Sequence, residues 1–142
     1  MMKNLYEVFA EFEKSPSRQD KINILKNNSS YALREVLKGT FNPNIEFTVT
    51  NIPFYKPSDA PPGLGYSSIH QELSRAYLFE KNNPKVSRNL SDKRKEQLLI
   101  QILECLEEKE AQIYINMLLK KQRVKGLTSN IVKEAFPDLL PE

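Results

Sequence analysis

The sequence predicts an all-α fold, a single compact domain built from about seven short helices. The chain has 142 residues, which is close to a typical domain length of about 150 residues. Glycine is scarce, and none occurs between Tyr66 and Lys125. Apolar residues recur at the spacing of one helix face, as in Leu5, Val8 and Phe9. We therefore expect helices at both ends of the chain and irregular backbone between them.

Capping signals place three helices in the N-terminal part of the chain. We expect these helices over Leu5–Lys14, over Gln19–Lys26 and after Ser29 or Ser30. Ser17 and Asp20 have the spacing of a capping box, in which each side chain accepts a free backbone N–H of the other residue. Gly39 is expected to end the third helix in a left-handed conformation.

A proline-rich, irregular segment is expected from about residue 41 to residue 66. It contains five of the nine prolines. Ile45, Phe47 and Val49 alternate with polar residues, as in a strand, but one isolated strand does not form a stable sheet. We therefore expect extended chain or a short helix at this point, followed by a loop over residues 55–68.

Four more helices are expected in the C-terminal half. They begin at Ser67 or Ser68, at Ser91, near Ala111 and at Thr128. The first extends to about Glu80, and a break near residues 107–110 separates the second from the third. Gly126 is expected to end the third helix, and Pro137 the fourth.

The sequence contains no motif that indicates an enzyme. A nucleotidyltransferase needs a lysine nucleophile in a K-x-D-G setting, and the phosphate-binding loop of many nucleotide hydrolases reads G-x-x-x-x-G-K-[ST]. Neither pattern is present. Gly63-Leu64-Gly65 is too short for a dinucleotide-binding motif, so we interpret it as a turn after two prolines. We therefore expect a protein that is not an enzyme and that needs no cofactor.

The individual reactive residues are also expected to have structural rather than catalytic roles. His70, the single histidine, is expected to lie at the surface or to cap a helix. Cys105, the single cysteine, adjoins a leucine stripe and is expected to act as a small buried apolar residue. Four glutamates are expected to form a solvated helix face rather than a metal site: Glu104, Glu107, Glu108 and Glu110.

The sequence also favours a cytoplasmic protein with no membrane contact. No apolar run approaches the roughly 20 residues that cross a bilayer as a helix. The first residues, MMKNLYEVFAEFEKS, include acids and no small-residue cleavage site, unlike a secretory signal. With one cysteine the chain forms no internal disulfide, which is typical of a reducing compartment.

Basic residues are concentrated in a C-terminal segment. No acidic residue occurs from position 111 to position 133. A basic helix end, a glycine and a new helix with a hydroxyl cap together can bind phosphate. The candidate phosphate contacts are Lys120, Lys121, Arg123, Lys125, Gly126 and Thr128. The alternative is a solvated helix end, because cations and glycine are favoured at helix C-termini in any protein.

A second basic run could extend this surface, or it could be a solvated loop. Its candidate residues are Lys85, Arg88, Lys93 and Arg94. The formal net charge of +3, from 21 basic and 18 acidic residues, is weak evidence for nucleic-acid binding. The segregation of charge along the chain is more informative, because it can give the molecule one basic face.

The C-terminal stretch KQRVKGLTSNIVKEAFPDLLPE resembles the end of the N-terminal DNA-binding domain of ATP-dependent DNA ligases, with the T-even bacteriophage type as the nearest pattern. The matching positions are Arg123, Gly126, Thr128, Ile131, Phe136, Pro137 and Leu139. The opening VFAEFEKSPSRQDKINILKNNSSYALREVLKGTFNPNIEF is similar to the first helices of that family. SYALREVLKGTFNPN and MLLKKQRVKGLT also resemble stretches of small proteins from marine T-even-like phages, a likeness that carries no activity with it.

The resemblance implies an all-helical domain that contacts the backbone of duplex DNA across the minor groove. It assigns phosphate contacts, by position, to Lys121, Arg123, Lys125, Gly126 and Thr128. The sequence stops at Glu142, where a ligase would continue into its catalytic core. We therefore expect an accessory protein rather than a ligase.

These observations predict a non-enzymatic accessory protein, encoded by a phage, that binds duplex DNA without reading its sequence. The alternative is a protein-interaction adaptor that acts on the replication or transcription machinery of the host or the phage. Its docking surface would be the loop from Pro53 to Tyr66, in which apolar residues are expected to be exposed between prolines. Tyr55 and Tyr66 flank the prolines, and we expect them to pack onto the core; the alternative is that they contact the partner.

Overall fold

A computed structural model describes residues 3–61 and 64–141 and confirms the all-α class. Its helices are α1 (Leu5–Lys14), α2 (Arg18–Asn27), α3 (Tyr31–Phe41), α4 (Ile69–Glu72), α5 (Asp92–Cys105), α6 (Glu108–Leu118) and α7 (Ser129–Ala135). A 3₁₀ helix, Leu73–Phe79, continues directly from α4. Within these residues no strand is present, and the one isolated β-bridge joins Phe47 to Glu80.

Hydroxyl side chains begin most of the helices, as their positions in the sequence predicted. The side-chain oxygens of Ser17, Ser30, Ser68, Ser91 and Thr128 each accept a backbone N–H three residues further on. Such a bond satisfies one of the N–H groups that a helix start leaves unpaired. At Ser17 the N–H of Asp20 donates to the hydroxyl oxygen at 3.1 Å, but the return bond of a capping box is not formed.

Helices α3 and α6 pack against each other and provide much of the core. Leu33 and Leu37 of α3 and Leu118 of α6 are almost fully buried, and the two helices are in contact. Helix α2 packs on both α1 and α7, and α5 packs on α6. One continuous apolar core therefore connects both ends of the chain.

Gly39 does not end α3, which continues to Phe41. The expected left-handed cap is wrong, because Gly39 lies inside the helix where α3 touches α6. A Cβ atom at Gly39 would lie 2.7 Å from both Cγ and Sδ of Met117. The glycine is needed for close helix packing rather than for an unusual backbone angle.

Lys120, rather than Gly126, takes the left-handed conformation at the end of α6. Helix α6 ends at Leu118, and Lys120 has φ 58°. Its Nζ donates hydrogen bonds to the carbonyl oxygens of Gly39 (2.9 Å), Asn42 (2.6 Å) and Ile45 (2.6 Å). These bonds satisfy carbonyls at and beyond the end of α3, and they offset the cost of a positive φ at a non-glycine residue. Gly126, with φ 86°, lies in the turn before α7.

Residues 42–61 form neither a helix nor a strand, and Phe47 makes the one isolated bridge. The N–H of Thr48 donates to the carbonyl of Phe79, and the N–H of Lys81 donates to the carbonyl of Glu46, both at 2.7 Å. This pairing is too short to form a strand. Of the two expectations for this segment, the short helix is not formed, and the chain pairs locally with residues at and just after the end of the 3₁₀ helix.

The loop before α4 is fixed closely to the junction between α5 and α6. The N–H of Ser67 donates to the carbonyl of Cys105 at 2.9 Å. A Cβ atom at Gly65 would lie 2.6 Å from the backbone N of Glu107 and 2.8 Å from the carbonyl oxygen of Cys105. Gly65 lies in a bend, as the predicted turn requires, whereas Gly63 lies outside the described residues.

We expect Gly65→Ala to lower the free energy of unfolding by about 1–3 kcal/mol, a typical cost of overpacking. The added methyl group would meet backbone atoms, which cannot rotate away as a side chain can. Urea unfolding measures the change. The matched control is Leu64→Ala, which trims an exposed side chain and should change stability by less than about 0.5 kcal/mol. Equal stability of the two variants would contradict the close approach at Gly65.

We expect Lys120→Met to lower the free energy of unfolding by about 1.5–3 kcal/mol, because hydrogen bonds to a charged donor are lost. Methionine keeps the apolar stem of the side chain but leaves three carbonyls without their donor. The control is Lys121→Met, at an exposed neighbouring position. Thermal or urea unfolding of both variants tests the difference, and a cost below about 0.5 kcal/mol at Lys120 would count against the cap.

Candidate nucleic-acid interface

Three cationic side chains are exposed on the segment that joins α6 to α7. Exposure alternates along this segment: Lys121, Arg123 and Lys125 are exposed, Gln122 is buried and Val124 is half-buried. We call the three exposed residues the basic strip. The Val124 N–H donates to the Gln122 carbonyl at 2.9 Å and the Leu127 N–H donates to the Val124 carbonyl at 3.1 Å, so the backbone turns here and forms no strand. The sequence predicts these residues at a helix end, and that prediction is wrong, because α6 ends at Leu118.

Gln122 holds the middle of the basic strip against the core. Its side chain is 8% exposed, and its Nε2 donates to Thr40 Oγ1 and to the carbonyl of Ile113, both at 3.4 Å. Its Oε1 accepts a hydrogen bond from Asn116 Nδ2 at 3.4 Å. Its two neighbours in the sequence, Lys121 and Arg123, are exposed.

The cations of the basic strip have no carboxylate partner among the described residues. Every ion pair of the described chain involves other side chains. Glu13 does approach the strip, but its Oε2 accepts the backbone N–H of Lys125 at 2.9 Å. That bond fixes the backbone and leaves the Lys125 ammonium exposed.

Among the six candidate phosphate contacts of the C-terminal segment, Lys120 is the one whose cationic group already forms hydrogen bonds within the protein. Its ammonium group has three N–H donors, and three carbonyl oxygens accept them. Partial burial lowers the pKa of Lys120, while the carboxylates of Glu46 and Glu80 act in the opposite direction. We therefore leave Lys120 out of the basic strip.

At the start of α7, where the sequence predicts phosphate contacts at Gly126 and Thr128, the threonine caps its own helix. Helix α7 has only seven residues, and the Oγ1 of Thr128 accepts the N–H of Ile131 at 3.3 Å. Thr128 and Gly126 are both exposed and follow the strip directly. Gly126 lies against Lys21, whose Cε would be 3.5 Å from an added Cβ.

The second basic run lies on a different part of the chain, around the start of α5. Lys85, Arg88, Lys93 and Arg94 are all exposed. Arg94 Nη1 donates to Gln97 Oε1 at 3.3 Å, and the backbone N–H of Lys85 donates to Asn83 Oδ1 at 2.9 Å. No described contact joins these residues to the basic strip.

Two of the four glutamates expected on a solvated face are buried. Glu107 caps α6, since its carboxylate accepts the N–H groups of Lys109 (2.8 Å) and Glu110 (3.0 Å). Glu110 Oε2 accepts the N–H of Ile69 at 3.0 Å. Burial raises the pKa of Glu110, against the effect of that hydrogen bond. The solvated-face prediction is wrong for these two because each carboxylate satisfies a helix start, while Glu104 and Glu108 are exposed.

His70 lies at the surface as expected, whereas Cys105 is less buried than expected. His70 is exposed, and its ring lies edge-on to Tyr31 with a centroid separation of 4.9 Å. Cys105 is only half-buried and is a free thiol. Across residues 3–61 and 64–141, no three histidine, cysteine or acidic side chains form a group that could hold a metal ion.

Apolar side chains are exposed in the proline-rich loop, as expected for the adaptor alternative. Tyr55 packs against the core as predicted. Tyr66, which was expected to do the same, is 92% exposed, as is Phe54, and Leu64 is 71% exposed. The available signal was their position beside prolines and glycines, which prevents regular packing, but that pattern does not say which side chains face solvent.

The comparisons with known proteins show the family of this chain, and they name no activity. No curated protein matches it. In the described part of the chain, no helix combines the length and apolar character needed to span a membrane. A family model matches residues 8–125, which is most of the chain. The chain therefore belongs to DUF6433, a family of unknown function.

Proposed function

We propose that this protein binds duplex DNA through the sugar–phosphate backbone, without reading its sequence, as a non-enzymatic accessory protein. The observation that carries the proposal is the basic strip, with Lys121, Arg123 and Lys125 exposed and without carboxylate partners among the described residues. Cations in this state are available to a polyanion, and their binding to phosphates releases condensed counterions.

The form of the strip favours phosphate contact over base reading. Its cations project from an irregular segment rather than from a helix that could enter the major groove. Lysine and arginine contacts to phosphate fix position but carry no sequence information. The buried Gln122 holds the strip in place, so little ordering is needed on binding.

The resemblance to the DNA-binding domain of T-even type ligases supports the same residues. Arg123 and Gly126 match that family's pattern, and Thr128 follows as the matching hydroxyl residue. On this proposal the protein is phage-encoded, acts in the host cytoplasm and contacts the minor groove. Lys85, Arg88, Lys93 and Arg94 would form a second, separate contact area.

We expect the double variant Lys121→Glu with Arg123→Glu to weaken binding to a duplex oligonucleotide by tenfold or more. Both side chains are exposed, so the fold should be retained. The slope of log Kd against log salt should fall by about 2, one unit for each lost phosphate contact. Fluorescence anisotropy across a salt series measures both quantities on intact, nicked and single-stranded DNA.

The matched control is Lys26→Glu with Arg34→Glu, which changes the net charge equally at exposed positions outside the strip. An equal loss of affinity in the control would mean that net charge, rather than the strip, governs binding. Absence of duplex binding by the unaltered protein at low salt would refute the proposal.

A second function, a protein-interaction adaptor for replication or transcription machinery, is favoured by the exposed apolar residues of the proline-rich segment. Phe54, Leu64 and Tyr66 are large and apolar, and each is mostly exposed. Apolar groups exposed in one segment are typical of surfaces that bind another protein.

The two functions predict opposite results for two variants, Tyr66→Ser and the double variant Lys121→Glu with Arg123→Glu. If the protein is an adaptor, Tyr66→Ser should weaken its association with a partner even after nuclease treatment, and Lys121→Glu with Arg123→Glu should not. Quantitative co-purification of the three forms measures this, with Asn51→Ala, at an exposed position of the same segment, as a loop control. Nuclease-sensitive association that depends on the basic strip would contradict the adaptor function.

A further inference from the structure

The proline-rich segment and the end of α5 enclose a groove of about 480 Å³. Its walls come from Lys56–Ala60, from Leu64–Tyr66 and from Glu104. None of the residues discussed for DNA binding lines this groove. It is therefore a separate surface from the basic strip.

Hydrogen bonds fix the walls of the groove in place. The N–H of Lys56 donates to Glu104 Oε2 at 2.8 Å. On the other side, Ser67 Oγ donates to Glu72 Oε2 at 2.6 Å, and the Ser67 N–H donates to the Cys105 carbonyl at 2.9 Å. Gly65 lies in tight contact with the α5–α6 junction. The groove is thus largely preorganised, which lowers the entropy cost of binding.

The lining combines exposed apolar surface with an excess of negative charge. Tyr66 and Leu64 expose most of their side chains. Asp59 and Glu104 contribute two carboxylates, and Lys56 contributes one ammonium group. Neither carboxylate forms an ion pair within the described chain. The complementary ligand is therefore apolar and carries positive charge.

We infer that this groove binds a segment of a partner protein in which an arginine adjoins an apolar side chain. An arginine guanidinium can stack on the exposed ring of Tyr66, and it can donate two parallel hydrogen bonds to the carboxylate of Glu104 or Asp59. The neighbouring apolar side chain then covers Leu64. A nucleic acid does not fit this groove, because two carboxylates would face its phosphates. The inference rests on the adaptor function and specifies the chemistry of its partner.

The test uses a five-residue peptide with blocked ends and an arginine between two leucines. Two matched peptides replace the arginine by citrulline or by glutamate. Backbone amide NMR shifts of the full chain report binding of each peptide at millimolar concentration. We expect saturable shifts at Leu64, Tyr66 and Glu104 with the arginine peptide, and about fivefold weaker binding of the citrulline peptide.

Variants then test the named contacts. Tyr66→Ser and Glu104→Gln should each weaken the arginine peptide about threefold to fivefold. Glutamine keeps an acceptor for the Lys56 N–H, so the groove should stay formed. Glu96→Gln, at an exposed α5 position outside the groove, should leave the affinity unchanged.

Each remaining outcome overturns the inference in a different way. Equal binding of all three peptides at the groove would refute the arginine chemistry while supporting an adaptor surface. The absence of saturable shifts at the groove with every peptide would refute the groove as a docking site. Loss of partner association in Tyr66→Ser would still support the adaptor function in that case, so the two failures are distinguishable.

Discussion

The close contact between α3 and α6 is the constraint on which the rest of the structure depends. Gly39 allows the two helices to approach, since any side chain there would overlap Met117. The polypeptide leaving α6 must then pass the end of α3, where Lys120 binds three carbonyls. Gln122 is anchored to Thr40 of α3 two residues later. The position of the basic strip is thus set by helix packing.

Features that depend on local sequence could be predicted, and features that depend on long-range contacts could not. Ser30, Ser91 and Thr128 cap helices because a hydroxyl reaches an N–H three residues away. The number and order of the helices follow from such caps and from apolar periodicity. In contrast, Gly39 was assigned a left-handed cap because glycine serves that purpose in most helices. Its actual neighbour, Met117, is 78 positions away in the sequence.

In the candidate site, too, the sequence predicted what local residues determine and not what distant contacts determine. The identity of the basic residues was evident from the sequence, and three of them are exposed together as the strip. The sequence alone does not show that Lys120 is hydrogen-bonded within the protein while Lys121 is exposed, because the difference depends on where α3 ends. The burial of Glu110 was equally hidden, because the Ile69 N–H that its carboxylate accepts lies 41 positions away in the sequence. Glu107 caps its own helix, α6, and its position beside three other glutamates masked that local role.

The basic strip is positioned by a residue that carries no charge. The buried amide of Gln122 donates to Thr40 Oγ1 and to the carbonyl of Ile113, and it accepts a hydrogen bond from Asn116 Nδ2. A residue without the amide would leave these buried polar groups with fewer partners, which costs stability. A change at Gln122 would therefore disturb the backbone that carries Lys121 and Arg123 while leaving the net charge of the protein as it is.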